Sequence, residues 1–252
     1  MFDNNNLVAF LTVRTKSSRM PEKCLLPFGS TNVLGHAISR AKFFDIEPIV
    51  CTSLDSSDDK IEDYCRQNDF NFFRGSLENK LTRWLDCARY FDVPYFHTLD
   101  VDDPFFDHLQ VFESMSVLNS TNMDVVYPTN ISSAGSASVG YSISARYLEE
   151  ISSEIIAVEQ IEMVDAFFKK HDFSKSTTLT SKYLEMHSVR LTLDYQEDYW
   201  LLTFILNECG PNCTRSEIQD LFTRNPDLYK INWFRNSDWQ KNQSRIRNKQ
   251  EI

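Results

Sequence analysis

The chain is poor in the residues that mark fibrous and low-complexity proteins, and it has no apolar run of membrane-spanning length. Its 252 residues include only 6 glycines and 8 prolines, which excludes a collagen-like or repetitive architecture. None of its apolar segments approaches the roughly 20 residues that a membrane helix needs. The initial segment MFDNNNLVAFLTV lacks a basic start and its apolar run is short, so no signal peptide is expected. We therefore expect a globular, cytoplasmic protein.

The chain also lacks an excess of positive charge. It has 26 Lys and Arg residues against 36 Asp and Glu residues, a formal net charge of −10. General binding to nucleic acid or to an anionic membrane needs a basic surface, so this balance argues against both partners. A local cluster of cations in such a chain would indicate a specific anion site.

The cysteines do not have the spacing of a metal site. The CGPNC segment places three residues between its cysteines, and no matching pair or histidine cluster follows it. Reduced and mostly buried thiols are the better expectation. The six residues are Cys24, Cys51, Cys65, Cys87, Cys209 and Cys213.

The length and the apolar pattern predict a single α/β domain over residues 1–252. Hydrophobic residues make up 42% of the chain, which supports a real core, and no repeat or linker is visible. Short buried strands alternate with helical patterns, which predicts a mostly parallel sheet flanked by helices. Strands are expected at 7–13, 47–53, 70–76, 95–99 and 123–129, and helices at 32–44, 56–68, 77–91 and 108–119.

The second half of the chain is less regular. Residues 145–155 and 159–170 have helical patterns, and residues 189–209 indicate a strand, a turn and a helix. A short helix and a loop are expected over 216–232. The polar and basic tail at 234–252 is expected to fray.

A basic loop follows the first predicted strand. Arg14, Lys16, Arg19 and Lys23 fall within ten residues, interleaved with serines, before the helix predicted at 32–44. A strand, a loop with Arg and Lys, and then a helix is the plan of a phosphate-binding site. The motif G-x-x-x-x-G-K-[ST] is absent, so this is not a P-loop. A solvated basic loop without function is an equally weighted alternative at this point.

Two acidic segments also follow predicted strands. Asp100, Asp102 and Asp103 crowd one turn, and a divalent cation would relieve their repulsion. Taken alone, Asp103 before Pro104 is better explained as a helix N-cap. In LTLDYQED, Asp194 follows a predicted strand and Asp198 opens a helix. One of these two is a candidate second metal ligand, and Asp198 is also a plain candidate for helix capping.

Taken together, these segments resemble the cytidylyltransferases that make CMP-activated acidic sugars. The branch that is most similar is named after spore coat polysaccharide biosynthesis protein F and is related to CMP-Kdo synthetase. The family's opening motif A-R-x-x-S-x-R-L-P-x-K is similar to V-R-T-K-S-S-R-M-P-E-K here. IVCTS, FFRGSLENKLTRWLDCAR, TLDVDDPFFD, RLTLDYQED and NPDLYKIN follow in the family's order.

The resemblance implies a nucleotide-diphospho-sugar transferase fold (GT-A or Rossmann-like) that binds CTP at the carboxyl edge of its sheet. By position it implies that Arg14, Arg19 and Lys23 hold the triphosphate, and that Asp102 and Asp194 bind Mg²⁺. Arg14, Lys23 and Asp102 would be catalytic, with Asp100 or Asp103 as a candidate base.

For the base and the ribose, the resemblance implies Arg74, Gly75 and Ser76, with Lys80 and Arg83 as further contacts.

The resemblance leaves the acceptor less well defined. It implies a small anion, a sugar acid or a phosphonate, which Arg146, Lys182, Arg190 or His187 would bind. Residues 131–190 would form the acceptor and dimerisation region, so a homodimer is expected.

The sequence departs from the family pattern in several places. Lys16 and Glu22 stand where the family often has glycine, Tyr195 and Gln196 replace Thr-Pro, and residues 131–141 do not match the usual acceptor loop. The acceptor is therefore expected to be unusual.

Three alternatives stay open. One is a nucleotidyltransferase that uses another nucleoside triphosphate. A second is a GT-A glycosyltransferase in cell-surface polysaccharide synthesis. The third is a non-catalytic partner protein with a decayed site.

Overall fold

A seven-stranded sheet forms the centre of the computed structural model, which describes residues 7–129, 140–170, 175–179 and 189–249. The strands of this sheet are β1 (Leu7–Thr12), β4 (Ile46–Ser53), β5 (Phe72–Gly75), β6 (Tyr95–Asp100), β7 (Val125–Tyr127), β8 (Ser142–Ser144) and β9 (Ser176–Thr178). A separate hairpin contains β2 (Pro27–Phe28) and β3 (Thr31–Asn32).

The helices cover this sheet. They are α1 (Val33–Phe43), α2 (Asp59–Gln67), α3 (Lys80–Phe91), α4 (His108–Thr121), α5 (Ala145–Glu150), α6 (Ser152–Ala157), α7 (Val164–Lys170), α8 (Gln196–Cys209), α9 (Arg215–Arg224) and α10 (Arg235–Lys249). Short 3₁₀ turns occur at Lys23–Leu25, Ser56–Asp58 and Leu228–Ile231.

The strand order is β5-β4-β1-β6-β8-β7-β9. Strands β5, β4, β1 and β6 pair in parallel, β8 pairs antiparallel with both β6 and β7, and β9 pairs parallel with β7. The predicted α/β fold with a mostly parallel sheet is confirmed. Strands β4 and β5 are added on one side of β1, and β6 is added on its other side. The strand order therefore reverses at β1, and sheets of this kind bind ligands at such a reversal.

Alternating side chains of β1 face two hydrophobic cores. Val8 and Phe10 pack with side chains of α3, α5 and α7, whereas Ala9 and Leu11 pack with side chains of α1, α8 and α9. A strand that is buried on both faces has a nearly continuous apolar sequence, which is why LVAFLT indicates a strand without polar alternation. These two cores fix β1 and therefore the start of the basic loop.

The first turn of α1 is capped by a side chain. Asn32 accepts a hydrogen bond from the backbone N–H of Gly35 at 2.8 Å. Later in this helix the buried Arg40 donates to the carbonyls of Phe106, Pro211 and Cys213. The helix is thereby tied both to the turn after β6 and to the loop between α8 and α9.

The predicted capping role of Asp103 is wrong, because α4 begins later. Asp107 is the N-cap, and its carboxylate accepts from the N–H of Leu109 at 3.1 Å. Phe105 and Phe106 between them are buried in the core. To bury both rings, the chain forms a turn before the helix, and in this turn the N–H of Phe106 donates to the Asp103 carbonyl.

The second half of the chain differs from the predictions at three places. The helix expected over 159–170 begins only at Val164, since Ile161 forms a β-bridge with Asn79. Residues 189–193 are not a strand, and the Leu193 N–H donates instead to the Asp102 carbonyl at 2.7 Å. The expected frayed tail contains the helix α10, which a pair between Arg235 and Glu197 attaches to α8.

All six cysteines are free thiols, and all except Cys209 are buried, as expected. Within the described ranges, the search for a helix that is long and apolar enough to cross a bilayer finds none. Lys182, His187 and residues 131–139 of the departing stretch at 131–141 lie outside the described residues.

Candidate active site

A cleft of about 1530 Å³ opens at the carboxyl edge of the sheet. Residues at or just beyond the ends of four strands line it, among them Thr12, Asp100, Tyr127 and Thr178. Ordinary small-molecule sites enclose about 300 to 1,000 Å³. The cleft therefore has room for two reactants side by side.

A buried carboxylate folds the basic loop against the sheet. Asp58 accepts hydrogen bonds from the backbone N–H and the hydroxyl of Thr15, both at 2.7 Å, and from the hydroxyl of Ser53. Burial would raise the pKa of Asp58, but these hydrogen bonds outweigh burial and lower it. The N–H of Glu22 then donates to the Thr15 carbonyl at 2.9 Å and closes the loop.

Glu22 also adopts a left-handed conformation with φ of 57°. Glycine suits such a position because it lacks a Cβ. This explains why a glycine is common there in the family that the opening motif resembles, and it makes Glu22 a costlier occupant of the same turn.

Lys23 joins the two predicted metal carboxylates. Its Nζ donates to Asp102 Oδ2 at 2.5 Å, to Asp194 Oδ1 at 2.8 Å and to the Leu193 carbonyl at 2.7 Å. The Lys23 side chain is only 6% exposed. Burial would lower the pKa of Lys23, but the charges of Asp102 and Asp194 raise it above its ordinary value. Lys23 therefore stays charged inside the protein.

Asp194 contacts three cations. Besides Lys23, Arg19 donates to Oδ1 at 2.5 Å and Arg190 donates to Oδ2 at 3.3 Å. Burial would raise the pKa of Asp194, but the charges of Lys23 and Arg19 lower it below its ordinary value. The Nε and Nη1 groups of Arg19 are buried without a protein partner among the described residues. Arg19 therefore retains unused donors beside the cleft.

A second ionic group lies on the α3 side of the cleft. Arg14 donates to Glu162 at 2.8 Å and to the Leu77 carbonyl at 3.2 Å. Lys80 Nζ lies 3.9 Å from Glu162 and 3.8 Å from Asp100. Burial would raise the pKa of Glu162, but Lys80 and Arg14 lower it. The structure thus brings together five of the predicted residues with charged side chains: Arg14, Arg19, Lys23, Asp102 and Asp194.

Among the residues predicted for the base and ribose, Lys80 lines this cleft, whereas Arg74, Gly75, Ser76 and Arg83 do not. Arg74 donates to the carbonyls of Ser53 and Asp55 and pairs with Asp59 and Glu62, so its guanidinium ties β5 to α2.

Gly75 and Ser76 follow Arg74 outside the cleft lining. Arg83 is buried and donates to the Ser76 carbonyl at 2.5 Å. It therefore supports this turn from inside the core.

Two residues predicted to bind the acceptor are also placed elsewhere. Arg190 is fully buried, and its Nε donates to Asp198 Oδ1 at 2.9 Å, so it orients carboxylates and cannot reach an acceptor in the cleft. Arg146 lies on the surface, where it pairs with Asp124 and Glu150. The alternative role of Asp198 is confirmed, because its Oδ2 accepts from the N–H of Tyr195, which precedes α8.

Two parts of the site have no signal in the amino-acid sequence. Asp58 belongs to a segment that predicts only the start of a helix, and it contacts Thr15 across 43 residues of chain. Helix α10 has no apolar stripe in its sequence, yet Trp239 and Gln243 line the cleft.

The donor set at the base of the cleft suits a hard divalent cation. Asp102 and Asp194 present carboxylate oxygens on either side of one ammonium group. Mg²⁺ typically takes one or two protein carboxylates and completes its shell with water and substrate phosphate. Across the described ranges, no cluster of three or more His, Cys, Asp and Glu residues forms a site by itself. A magnesium ion held by Asp102 and Asp194 would have room in its shell for water and nucleotide oxygens.

Comparisons with known proteins identify the family of this chain. Residues 8–202 match the profile of the family described as Cytidylyltransferase. The chain is 28% identical over 236 residues to spore coat polysaccharide biosynthesis protein SpsF of Bacillus subtilis, an alignment that covers 88% of this chain and 96% of the relative.

Solved structures share the fold. A cytidylyltransferase from Leptospira borgpetersenii superposes with a TM-score of 0.73 at 21% identity and covers 88% of this chain and 95% of its own. A CMP:2-keto-3-deoxy-manno-octonic acid synthetase complexed with CTP superposes with a TM-score of 0.59 at 11% identity and covers 80% of this chain and 98% of its own. At these identities the likeness establishes the fold alone.

Proposed function

The chain belongs to the cytidylyltransferase family, and we propose that this nucleotidyltransferase moves CMP from CTP to a small acidic acceptor with release of pyrophosphate. The observation that carries the proposal is the ion network at the base of the cleft. There Lys23 and Arg19 converge on Asp102 and Asp194 at the carboxyl edge of the sheet. A triphosphate needs such cations, and a metal-bound triphosphate needs such carboxylates.

In the proposed reaction, an oxygen of the acceptor, the hydroxyl of a sugar acid or an ionised oxygen of a phosphonate, attacks the α-phosphorus of CTP. The bond between that phosphorus and the bridging oxygen to the β-phosphorus breaks, and pyrophosphate leaves with the bonding electrons. The hydroxyl proton passes to Asp100, whose side chain is 48% exposed and lines the cleft beside Lys80. In such transfers the protein mainly positions the reactants and neutralises charge.

The cations have separate parts in this scheme. Lys23 and Arg19 lie on the basic loop and would compensate the charge that develops on the leaving pyrophosphate. Arg14 is held from the other side by Glu162 and would contact the nucleotide nearer to α3. The unused donors of Arg19 give it capacity to bind phosphate oxygens without releasing Asp194.

Mg²⁺ is proposed as the cofactor, with Asp102 and Asp194 as its protein ligands. When bound, it would neutralise phosphate charge and lower the pKa of a coordinated oxygen. Arg190 would keep Asp194 oriented toward that position, since it donates to the carboxylate from the buried side.

The proposed acceptor is a sugar acid or a phosphonate, used in cell-surface polysaccharide synthesis. The name of the Bacillus subtilis relative supports the polysaccharide context, and the name of the 2-keto-3-deoxy-manno-octonic acid synthetase supports the sugar acid. A homodimer is proposed as well, and light scattering of the purified protein tests it, because a monomer mass would refute it.

The test is pyrophosphate release from CTP, ATP, GTP and UTP with Mg²⁺ against a panel of sugar acids and phosphonates. We expect CTP to be preferred. Asp102→Asn should lower the rate by about 100-fold or more, the scale seen when a preorganised charge is removed from an active site. Asp63→Asn on α2 is the matched control and should leave the rate unchanged.

The proposal fails if calorimetry shows no Mg²⁺-dependent binding of CTP and no acceptor releases pyrophosphate. Turnover of a finished sugar nucleotide instead would indicate a glycosyltransferase. A preference for GTP or UTP would retain the reaction and change the nucleotide.

A further inference from the structure

Helix α10 forms a wall of the cleft although it lies beyond the residues that match the family, 8–202. Six of its residues line the cleft: Trp239, Gln240, Asn242, Gln243, Ser244 and Ile246. Positions 239, 242, 243 and 246 recur at the spacing of one helix face. One continuous stripe of α10 therefore faces the reactants.

The helix is docked to residues that follow Asp194 in the chain and to Arg190, which binds Asp194. Arg235 pairs with both oxygens of Glu197, at 2.9 and 3.1 Å, and its guanidinium stacks 5.0 Å from the Tyr195 ring centroid. The indole of Trp239 lies 5.8 Å from the guanidinium of Arg190, which binds Asp194. These contacts fix the position of α10 relative to the reacting phosphate of the proposed reaction.

The lining stripe contains amides and no charged side chain. Within the part of the chain that the structure describes, the amides of Asn242 and Gln243 bond to no other protein group. An amide both donates and accepts, as a hydroxyl does. A carboxylate or a phosphate only accepts hydrogen bonds, and Arg or Lys side chains would bind it more strongly.

Other cleft residues complete this surface. Thr177 and Thr178 at the end of β9 offer hydroxyls, and Tyr127, Tyr141 and Phe168 form a cluster of rings at the cleft. Ring faces pack against C–H groups, while hydroxyls and amides bond to O–H groups. A sugar with many hydroxyls presents both C–H and O–H groups, whereas a short phosphonate has few of either.

We propose that the amide stripe of α10 binds the hydroxylated body of the acceptor and thereby selects a sugar acid over a phosphonate. The acid group would then lie near the cations at the base of the cleft, since the described acceptor side adds no cation of its own. This inference rests on the proposed function and specifies its acceptor.

The test compares the double variant Asn242→Ala/Gln243→Ala with Lys241→Ala, an exposed neighbour on the same helix that does not line the cleft. The probes are 2-keto-3-deoxy sugar acids of different chain lengths and an alkyl phosphonate without hydroxyls. We expect the double variant to raise the KM for the best sugar acid about tenfold, the scale of two lost hydrogen bonds. Its KM for CTP should change less than twofold, and Lys241→Ala should match the wild type. Gln243→Met, which keeps the volume and removes the amide, provides the measurement if the double variant unfolds.

An unchanged KM for the acceptor in a folded variant would overturn the inference alone. Preferred use of the phosphonate, or CTP binding with no sugar acid turned over, would overturn it too. If the wild type binds no CTP in calorimetry, the proposed function itself fails, which keeps the two failures distinguishable.

Discussion

Replacing Asp58 by Asn should loosen the basic loop without removing any cation from it. The Asp58 carboxylate accepts from the N–H and hydroxyl of Thr15 and from Ser53. An asparagine at this position keeps one oxygen that accepts hydrogen bonds. Its NH₂ group, which only donates, replaces the second oxygen and faces the donors of Thr15 or Ser53. At least one buried donor then loses its partner.

The magnitude follows from these contacts. A hydrogen bond to a charged group contributes about 1.5 to 3 kcal/mol, and an unsatisfied buried donor costs about 1 to 3 kcal/mol. We therefore expect Asp58→Asn to lower the free energy of unfolding by about 3 kcal/mol. Since Glu22 closes the loop by donating to the Thr15 carbonyl, the KM for CTP should also rise about tenfold.

Urea denaturation and steady-state kinetics measure the two effects. Asp59→Asn is the matched control, because Asp59 is the next carboxylate, is 60% exposed and pairs with Arg74 rather than with the basic loop. Because hydrogen bonds lower the pKa of Asp58 in the fold, its contribution is fully present above the unfolded pKa of about 3.9. It is lost as the pH falls through the lower folded value. A folded Asp58→Asn protein with unchanged KM for CTP would refute the assignment of Asp58 as the anchor of the loop.

Three further outcomes are expected. Lys23→Met should lower kcat by about 100-fold or more in the pyrophosphate assay, because it removes a buried charge that contacts both Asp102 and Asp194; Lys241→Met, which is exposed and does not line the cleft, should have no effect. Asp107→Ala should lower the free energy of unfolding by about 1 kcal/mol, the usual cost of a lost N-cap, whereas Asp103→Ala should not act through the cap. Burial lowers the pKa of His36 to about 4. Between that pH and about 6.5, the unfolded chain binds more protons at this residue than the folded protein does. The free energy of unfolding should therefore fall by about 3 kcal/mol as the pH drops from about 6.5 to about 4. His36→Phe should remove that part of the pH dependence in urea titrations.

The elements that the sequence predicts well are those whose pattern is local. Residues Leu7–Thr12 form a strand because a run buried on both faces has few other conformations available, and Asn32 caps α1 because its side chain reaches an N–H only three residues away. The basic loop lies close to Asp102 because both follow parallel strands, whose carboxyl ends lie at the same edge of the sheet.

The predictions that are wrong concern residues whose position depends on contacts with distant parts of the chain. The sequence shows that Arg190 is a cation, but only the fold shows that it is buried on Asp198. Two carboxylates at the fourth and eighth positions after Arg190 were the available signal for an internal ion pair. Helix α10 has polar residues on every face, and what holds it is a pair between Arg235 and Glu197, which lie 38 residues apart.

The buried position of Arg190 also explains how the ion network can exchange partners. In the proposed reaction, Lys23 would turn from Asp194 toward phosphate oxygens, whereas Arg19 would use its unpaired Nε and Nη1 groups. A buried carboxylate that lost all its cations would be strongly destabilised. Arg190 is fully buried and contacts Asp194 from the side away from the cleft, so its charge remains with the carboxylate throughout. In the proposed reaction, Arg190 would thus keep Asp194 paired and in place while Lys23 turns toward the nucleotide.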